Sequence, residues 1–418
     1  MTSKAEILWV YLDCDWLPSA ALIGRLYREM LRGAPKYAFE FDRQWLASHS
    51  GIRLSADLEN FPGRQFQKPG AEVFGCFSDA MPDRWGRLLL KRCEAVFAQR
   101  EERTQKTLTA FDMLCGLDDL LRMGALRFKR GPTQPFLNVA SPLSVPPITS
   151  LRELADAAAH VEESEAKQTL PEEKWLLALL QPGSSLGGAR PKATVRDDAG
   201  NLWIAKFPSR NDDYDVGAWE RFAYLMAERA GIETMPSQLI PIGRHHAFLV
   251  KRFDRRDGAR VHFASAMTLT GLTDGDGAAN GHGYLDIVEM MLENCVNLEA
   301  NLEALYRRVA FSICIGNADD HFRNHGFLLA KEGWTLSPAY DMNPTTLRRQ
   351  RLLINDSTDA ADLDALRSSA PLYFLNQNRA DEIIEEVLAA MKDWQRVADE
   401  LALPQRDRDM FADRFLVK

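Results

Sequence analysis

Apolar and polar positions change their spacing several times along the chain, and each spacing predicts an element. The apolar run Ile7 to Leu12 predicts a strand, and Asp83 to Phe97 reads as helical. Ser150-Leu151-Arg152-Glu153 has the form of a capping box and opens a helix toward Glu165. KATVRD and NLWIAKF are strand-like, and Asp198-Ala199-Gly200-Asn201 supplies the turn of a hairpin over 192–207. Side chains alternate along a strand, so Leu202, Ile204 and Lys206 share one face. Trp219 to Ala230 predicts a helix closed by Gly231, and Ala247 to Phe253 another strand. Helical spacing then dominates. Leu302, Leu305, Tyr306, Val309 and Ile313 form one apolar stripe, with Gly316 as its stop. From Asp381 onward the pattern is amphipathic helix, while Gly271–Gly283, with five glycines, reads as a mobile loop. No internal repeat or low-complexity tract stands out.

Residues 131–149 hold Pro132, Pro135, Pro142, Pro146 and Pro147, so this stretch is expected to be a linker rather than helix or central strand. It sets off a first region, 1–130, of single-domain size. The remainder divides into 150–254, rich in strand pattern, and a mainly helical 255–418. The 418 residues, 46% hydrophobic and 26% charged, describe an ordinary globular chain. A net charge of −8 argues against nucleic-acid binding by the whole surface. Six scattered cysteines without a C-x-x-C pair argue against a disulfide framework or zinc site. No stretch reaches membrane-spanning length and the start is no signal peptide, so a cytoplasmic location without membrane association is expected.

The densest chemistry lies in GNADDHFRNHG, 316–326, between an apolar helix and the apolar strand Phe327 to Leu329. Loops on rigid scaffolds carry chemistry. Asp319, Asn324 five residues on, and Asp341 seventeen residues further match the polar equipment of kinase-type phosphoryl transfer. There the first acid accepts the proton of an attacking hydroxyl, and the amide and second acid hold magnesium. Asp320 would orient the loop, and His321 would contact phosphate or stabilise the loop. Two other readings exist: a polar turn capped by its own Asx side chains, and a metal-dependent hydrolase using Asp319, Asp320, His321 and His325. The second lacks the glutamate of H-E-x-x-H.

Upstream, Ser184-Ser185-Leu186-Gly187-Gly188-Ala189-Arg190-Pro191-Lys192 carries adjacent glycines that let a backbone approach a phosphate. It is neither a Walker A loop nor G-x-G-x-x-G, and taken alone it reads as a surface turn. Lys206 ends an apolar strand, where its charge is costly unless used on phosphates or led out to water. Glu220 on the next helix is a candidate partner for Lys206, with Glu228 a rival; otherwise it is a solvated helix charge.

Together these segments resemble the HipA family, the toxin kinases of bacterial type II toxin–antitoxin modules. The matching pieces are SSLGGARPK at 184–192, WIAKFPS at 203–209, FLVKRFDR at 248–255, GNADDHFRN at 316–324 and PAYDMNP at 338–344. MPDRWGR at 81–87 and RMGALRF at 122–128 extend the match through the N-terminal region. The resemblance implies an α+β, protein-kinase-like two-lobed fold with an extra N-terminal α/β subdomain and a mainly helical C-terminal lobe. It implies an ATP- and Mg2+-dependent serine/threonine protein kinase acting on a protein such as an aminoacyl-tRNA synthetase. A HipB-like helix-turn-helix antitoxin is the implied partner, with DNA reached only through it.

Carried over, Asp319 is the base, Asn324 and Asp341 the magnesium ligands, and Lys206 the phosphate-holding cation. Leu186, Gly187, Gly188, Ala189, Lys192, His321 and Tyr340 join the nucleotide site. Lys251-Arg252-Phe253 becomes the adenine hinge; family members often have glutamate where Lys251 stands. Ser185, or its neighbour Ser184, falls where the family autophosphorylates. About two added negative charges there would repel ATP. A pseudokinase that binds an antitoxin and a small-molecule kinase are the alternative functions.

Overall fold

The computed structural model describes residues 5–139, 145–180 and 188–417. The chain forms two compact units, Met1–Asn211 with Lys251–Ala264, and Asp212–Val250 with Ser265–Lys418.

The first unit is built on a five-stranded sheet in the order Arg64–Phe66, Ala34–Phe41, Ala21–Leu31, Glu6–Leu12, Leu126–Lys129. Its ladders are antiparallel. Strand alternation turns Leu8, Val10 and Leu12 into the core, where Phe39 meets Phe41 and Phe77 edge-on or tilted. The helix Arg84–Arg100 starts at Asp83, whose carboxylate accepts from the Gly86 N–H at 2.8 Å. The helix Leu151–Ala166 follows, but the expected capping box does not form. A 3-10 turn, Ile148–Ser150, leads directly into it, and Ser150 sits at φ −84°, ψ 5°. That is not the extended geometry from which an N-cap hydroxyl reaches back to the amides. Within 131–149 the described ends dock on this unit: Arg196 donates from its N–H to the Pro146 carbonyl at 2.9 Å.

The predicted hairpin is Lys192–Arg196 paired antiparallel with Leu202–Lys206. Asp197 locks its turn, accepting from the Asn201 N–H at 2.8 Å and Trp203 Nε1 at 2.9 Å.

The second unit contains the helix Val216–Arg229 and the hairpin Ser237–Ile242 with His245–Lys251. The helix Leu298–Ile315 buries Leu302, Leu305, Tyr306 and Val309 completely and ends at Gly316, φ +72°. A left-handed stop of that kind favours glycine, and here a side chain would also strike Arg414. The expected terminal helix is three: Gln377–Met391, Trp394–Glu400 and Gln405–Ala412. The Gly271–Gly283 stretch is not the loose loop expected. Asp276 accepts from the N–H and hydroxyl of Thr273 at 2.7 and 2.8 Å, and Ala278 and Tyr284 donate to Arg351 and Leu353 carbonyls at 2.8 and 3.0 Å. With 39% helix, 20% strand and antiparallel ladders, the class is α+β, as expected.

Candidate functional site

In the second unit the helix Leu298–Ile315 delivers the chain into the 316–326 loop, and the hairpin Gly326–Leu329 with Trp334–Leu336 carries it on toward Asp341. Two ties fold the 340–345 segment back on that loop. Tyr340 donates from its hydroxyl to the Arg323 carbonyl at 2.8 Å. Thr345 donates from its N–H to the Gly316 carbonyl at 3.0 Å, while its hydroxyl accepts from Ala318 N–H at 3.3 Å. The segment bearing Asp341 is thereby held against the one bearing Asp319 and Asn324. Asn324 and Tyr340 line a narrow cleft with Asn317, Asp320, His325 and Met342. Asp341 itself sits at φ +54°, a conformation non-glycine residues seldom adopt and one that marks constrained positions.

Adjacent acids in this loop occupy opposite environments. Asp319 is 51% exposed and ion-paired with Arg351. Asp320 is buried and accepts from the Tyr284 hydroxyl at 2.7 Å, His325 Nε2 at 3.1 Å and the Ser312 hydroxyl at 3.2 Å. Burial alone would raise the Asp320 pKa, but its neighbour His325 and the hydrogen bonds from His325 and Tyr284 outweigh it and hold it below the usual value. Asp320 therefore anchors the loop as expected of a neighbour, and Asp319 is left to the solvent. The hydrolase reading is weakened, since Asp320 already accepts from Tyr284, Ser312 and His325 Nε2. Among the described residues no group of three His, Cys, Asp or Glu side chains is placed to hold a metal.

Glu220 is 1% exposed, so the solvated-charge reading fails for it. Burial raises the Tyr224 pKa well above its ordinary value, and the charges of Glu220 and Asp341 add to that. Glu228, the rival, is exposed and accepts from the Thr234 hydroxyl at 3.1 Å.

The other candidates belong to the first unit. Ser184, Ser185, Leu186 and Gly187 lie outside the described residues. Gly188 and Ala189 are exposed. Lys192 is 1% exposed, and its ammonium donates to Asp83 at 2.7 Å and the Gly188 carbonyl at 3.0 Å. It forms a buried ion pair with Asp83, the residue that caps the helix Arg84–Arg100. Lys206 pairs with it in register across the hairpin and is half-buried. The Arg252 side chain is likewise committed, donating to Asp254 at 2.8 Å and to the Leu121 and Arg122 carbonyls at 2.9 and 3.1 Å. Its N–H donates to the Leu202 carbonyl at 2.9 Å. Lys251 and Phe253 are half-buried, with the Phe253 ring 5.8 Å from that of Phe263.

Arg351, Tyr284 and Thr345 were not identified from the sequence. Each reaches the loop from another part of the chain, and no local pattern marks them. Arg308 gave a fainter signal, a cation one position from the apolar stripe of its helix. It is buried, which pushes its pKa down to about 10, and it donates to the Ser337 carbonyl.

Two family models match the chain: the HipA-like C-terminal domain over residues 184–395 and the HipA N-terminal domain over 17–129. The first spans half of the chain by itself, and the chain belongs to the HipA family. A chain from the Shewanella oneidensis MR-1 toxin–antitoxin complex of HipA, HipB and operator DNA superposes with TM-score 0.63 at 18% identity, covering 97% of this chain and 94% of that one. At that identity the likeness is one of fold. The Helicobacter pylori proinflammatory kinase CtkA matches at TM-score 0.34 and 11% identity over 50% of this chain and 94% of its own, too remote to carry argument. Among curated proteins, "Putative kinase Y4dM" of Sinorhizobium fredii (strain NBRC 101917 / NGR234) is 25% identical over 221 residues, 45% of this chain and 52% of that protein. The chain thus spans about half the length of that relative. No helix among the described residues is long and apolar enough to cross a membrane.

Proposed function

We propose that this chain is an ATP- and magnesium-dependent serine/threonine protein kinase of the HipA toxin type. The observation that carries the reading is the pair of ties from Tyr340 and Thr345, which hold the Asp341 segment against the loop of Asp319 and Asn324. Asp319, exposed and on a short turn, accepts a hydrogen bond from the acceptor hydroxyl and takes its proton. The hydroxyl oxygen bonds to the γ-phosphorus as the bond to ADP breaks. Asn324 and Asp341 offer oxygen donors, the kind magnesium prefers, and would hold it. Magnesium, when bound, neutralises charge on the phosphates. Lys206 holds the phosphates, and the 186–189 backbone cradles them.

In the same reading residues 1–130 form the subdomain met by a HipB-like antitoxin, 150–254 the nucleotide-holding region and 255–418 the catalytic region. The acceptor is a translation component such as an aminoacyl-tRNA synthetase, and phosphorylation at Ser185 or Ser184 silences the enzyme.

The test is incubation of the chain with γ-labelled ATP, magnesium and cell-extract protein. Label is expected on serine or threonine, and none with Asp341→Ala. Label confined to small molecules would replace the protein-kinase reading by the small-molecule one. ATP bound without any turnover would leave a pseudokinase.

A further inference from the structure

Arg351 lies ten residues beyond Asp341 and belongs to none of the motifs that mark the site. Its Nε nevertheless pairs with Asp319 Oδ1, and the two side chains are 59% and 51% exposed. Exposed pairs of this kind contribute little to folding. The backbone under Arg351, however, is fixed on several sides. Its N–H donates to the Ala318 carbonyl, next to Asp319, at 3.2 Å. Its own carbonyl accepts from Ala278 N–H at 2.8 Å. Gly277 approaches that carbonyl so closely that a Cβ would collide with it, at an extended φ that strains no residue type. Sterics, not backbone freedom, require glycine there. Gln350 and Leu352 on either side are buried, and the Gln350 N–H donates to the Asp359 carbonyl at 2.9 Å.

The braced backbone thus fixes where the Arg351 side chain starts, while the exposed pair itself adds little to folding. The neighbouring cations are engaged elsewhere, Arg349 with Asp359 and Arg323 with Asp274. We infer that Arg351 is a positioning residue for Asp319, holding that carboxylate on its exposed turn in the orientation that receives the acceptor hydroxyl. A solvent-exposed carboxylate on a turn otherwise samples several rotamers, and a planar guanidinium on a fixed base selects among them. The inference rests on the reading of Asp319 as the proton acceptor.

The test is initial-rate ADP formation by the purified chain, with heat-inactivated cell-extract protein as acceptor, across ATP concentrations, for wild type, Arg351→Ala, Arg351→Lys and Asp319→Asn. Arg351→Ala should lower kcat roughly 10- to 100-fold, the cost of a misplaced catalytic group. KM for ATP and the thermal midpoint should stay at their wild-type values. Arg351→Lys, which keeps the charge without the fork, should recover part of the rate. An unchanged kcat overturns the inference. So does a faster Arg351→Ala enzyme, which would make Arg351 a mask, or a thermal midpoint that falls with the rate. No ADP from wild type, or a wild-type rate from Asp319→Asn, would instead sink the underlying reading. An inactive Asp319→Asn beside a fully active Arg351→Ala sinks this inference alone.

Discussion

Two regions of this chain are crowded with charge, and they use it in opposite ways. In the first unit Asp254 is completely buried and takes Arg252 and Arg255 at 2.8 and 2.6 Å, while Asp119 takes Arg260 at 3.0 Å. Burial would raise the Asp254 pKa, but the two guanidinium charges and the Gly124 N–H overcome it and hold it far below the usual carboxylate range. In the second unit Asp319 stands in solvent, joined to one exposed arginine. Charge density by itself therefore marks no site. What separates the two regions is whether each charge is consumed by a partner out of reach of water.

That contrast breaks first under substitution. Asp319→Asn should lower phosphoryl transfer by about 10²- to 10⁴-fold, the range of a lost general base, with the unfolding midpoint unchanged. A denaturant melt beside the rate assay checks both halves. Asp254→Ala should do the reverse. It strands two buried guanidinium groups at a cost of about 3–5 kcal/mol in stability, while whatever fraction stays folded retains transfer. A stable Asp254→Ala protein would remove the distinction between the regions.

A smaller effect follows from His262, buried beside the same network, whose Nδ1 faces the Ala125 N–H at 3.5 Å. Burial pushes its pKa down from 6.5 to about 3. Between those values the unfolded chain carries a proton that the folded chain lacks, so stability rises with pH and is lost on acidification. The slope is about 1.4 kcal/mol per pH unit below pH ~6.5. Denaturant midpoints from pH 7 to 5 should show this slope in wild type, and His262→Gln should remove it. The smallest change is expected at Arg349, whose exposed pair with Asp359 should be worth less than about 1 kcal/mol when Arg349→Ala is melted.

Much of the fold could be read from local pattern. The strand at Glu6–Leu12, the hairpin over 192–206 and the helix stopped at Gly316 follow from apolar spacing and turn residues that act within a few positions. The Gly271–Gly283 stretch misled because glycine has two uses. Composition suggested freedom, whereas Gly277 is required by a carbonyl seventy-four residues away, at Arg351. The side-chain partners of Lys192 and Arg252 were hidden for a related reason. The sequence shows each cation but not the carboxylates Asp83 and Asp254 that pair with them in the fold. The order of Asp319, Asn324 and Asp341 was legible because one loop and the next hairpin carry them. Arg351 was not, because its contact depends on how a distant strand of backbone is braced.

The central claim is that this chain transfers phosphate through Asp319. Intact mass of the purified protein after incubation with ATP and magnesium, wild type beside Asp319→Gln, tests it most directly. A phosphate-sized gain in the wild type alone, mapped to Ser184 or Ser185, is the predicted result. An equal gain in both proteins would contradict it.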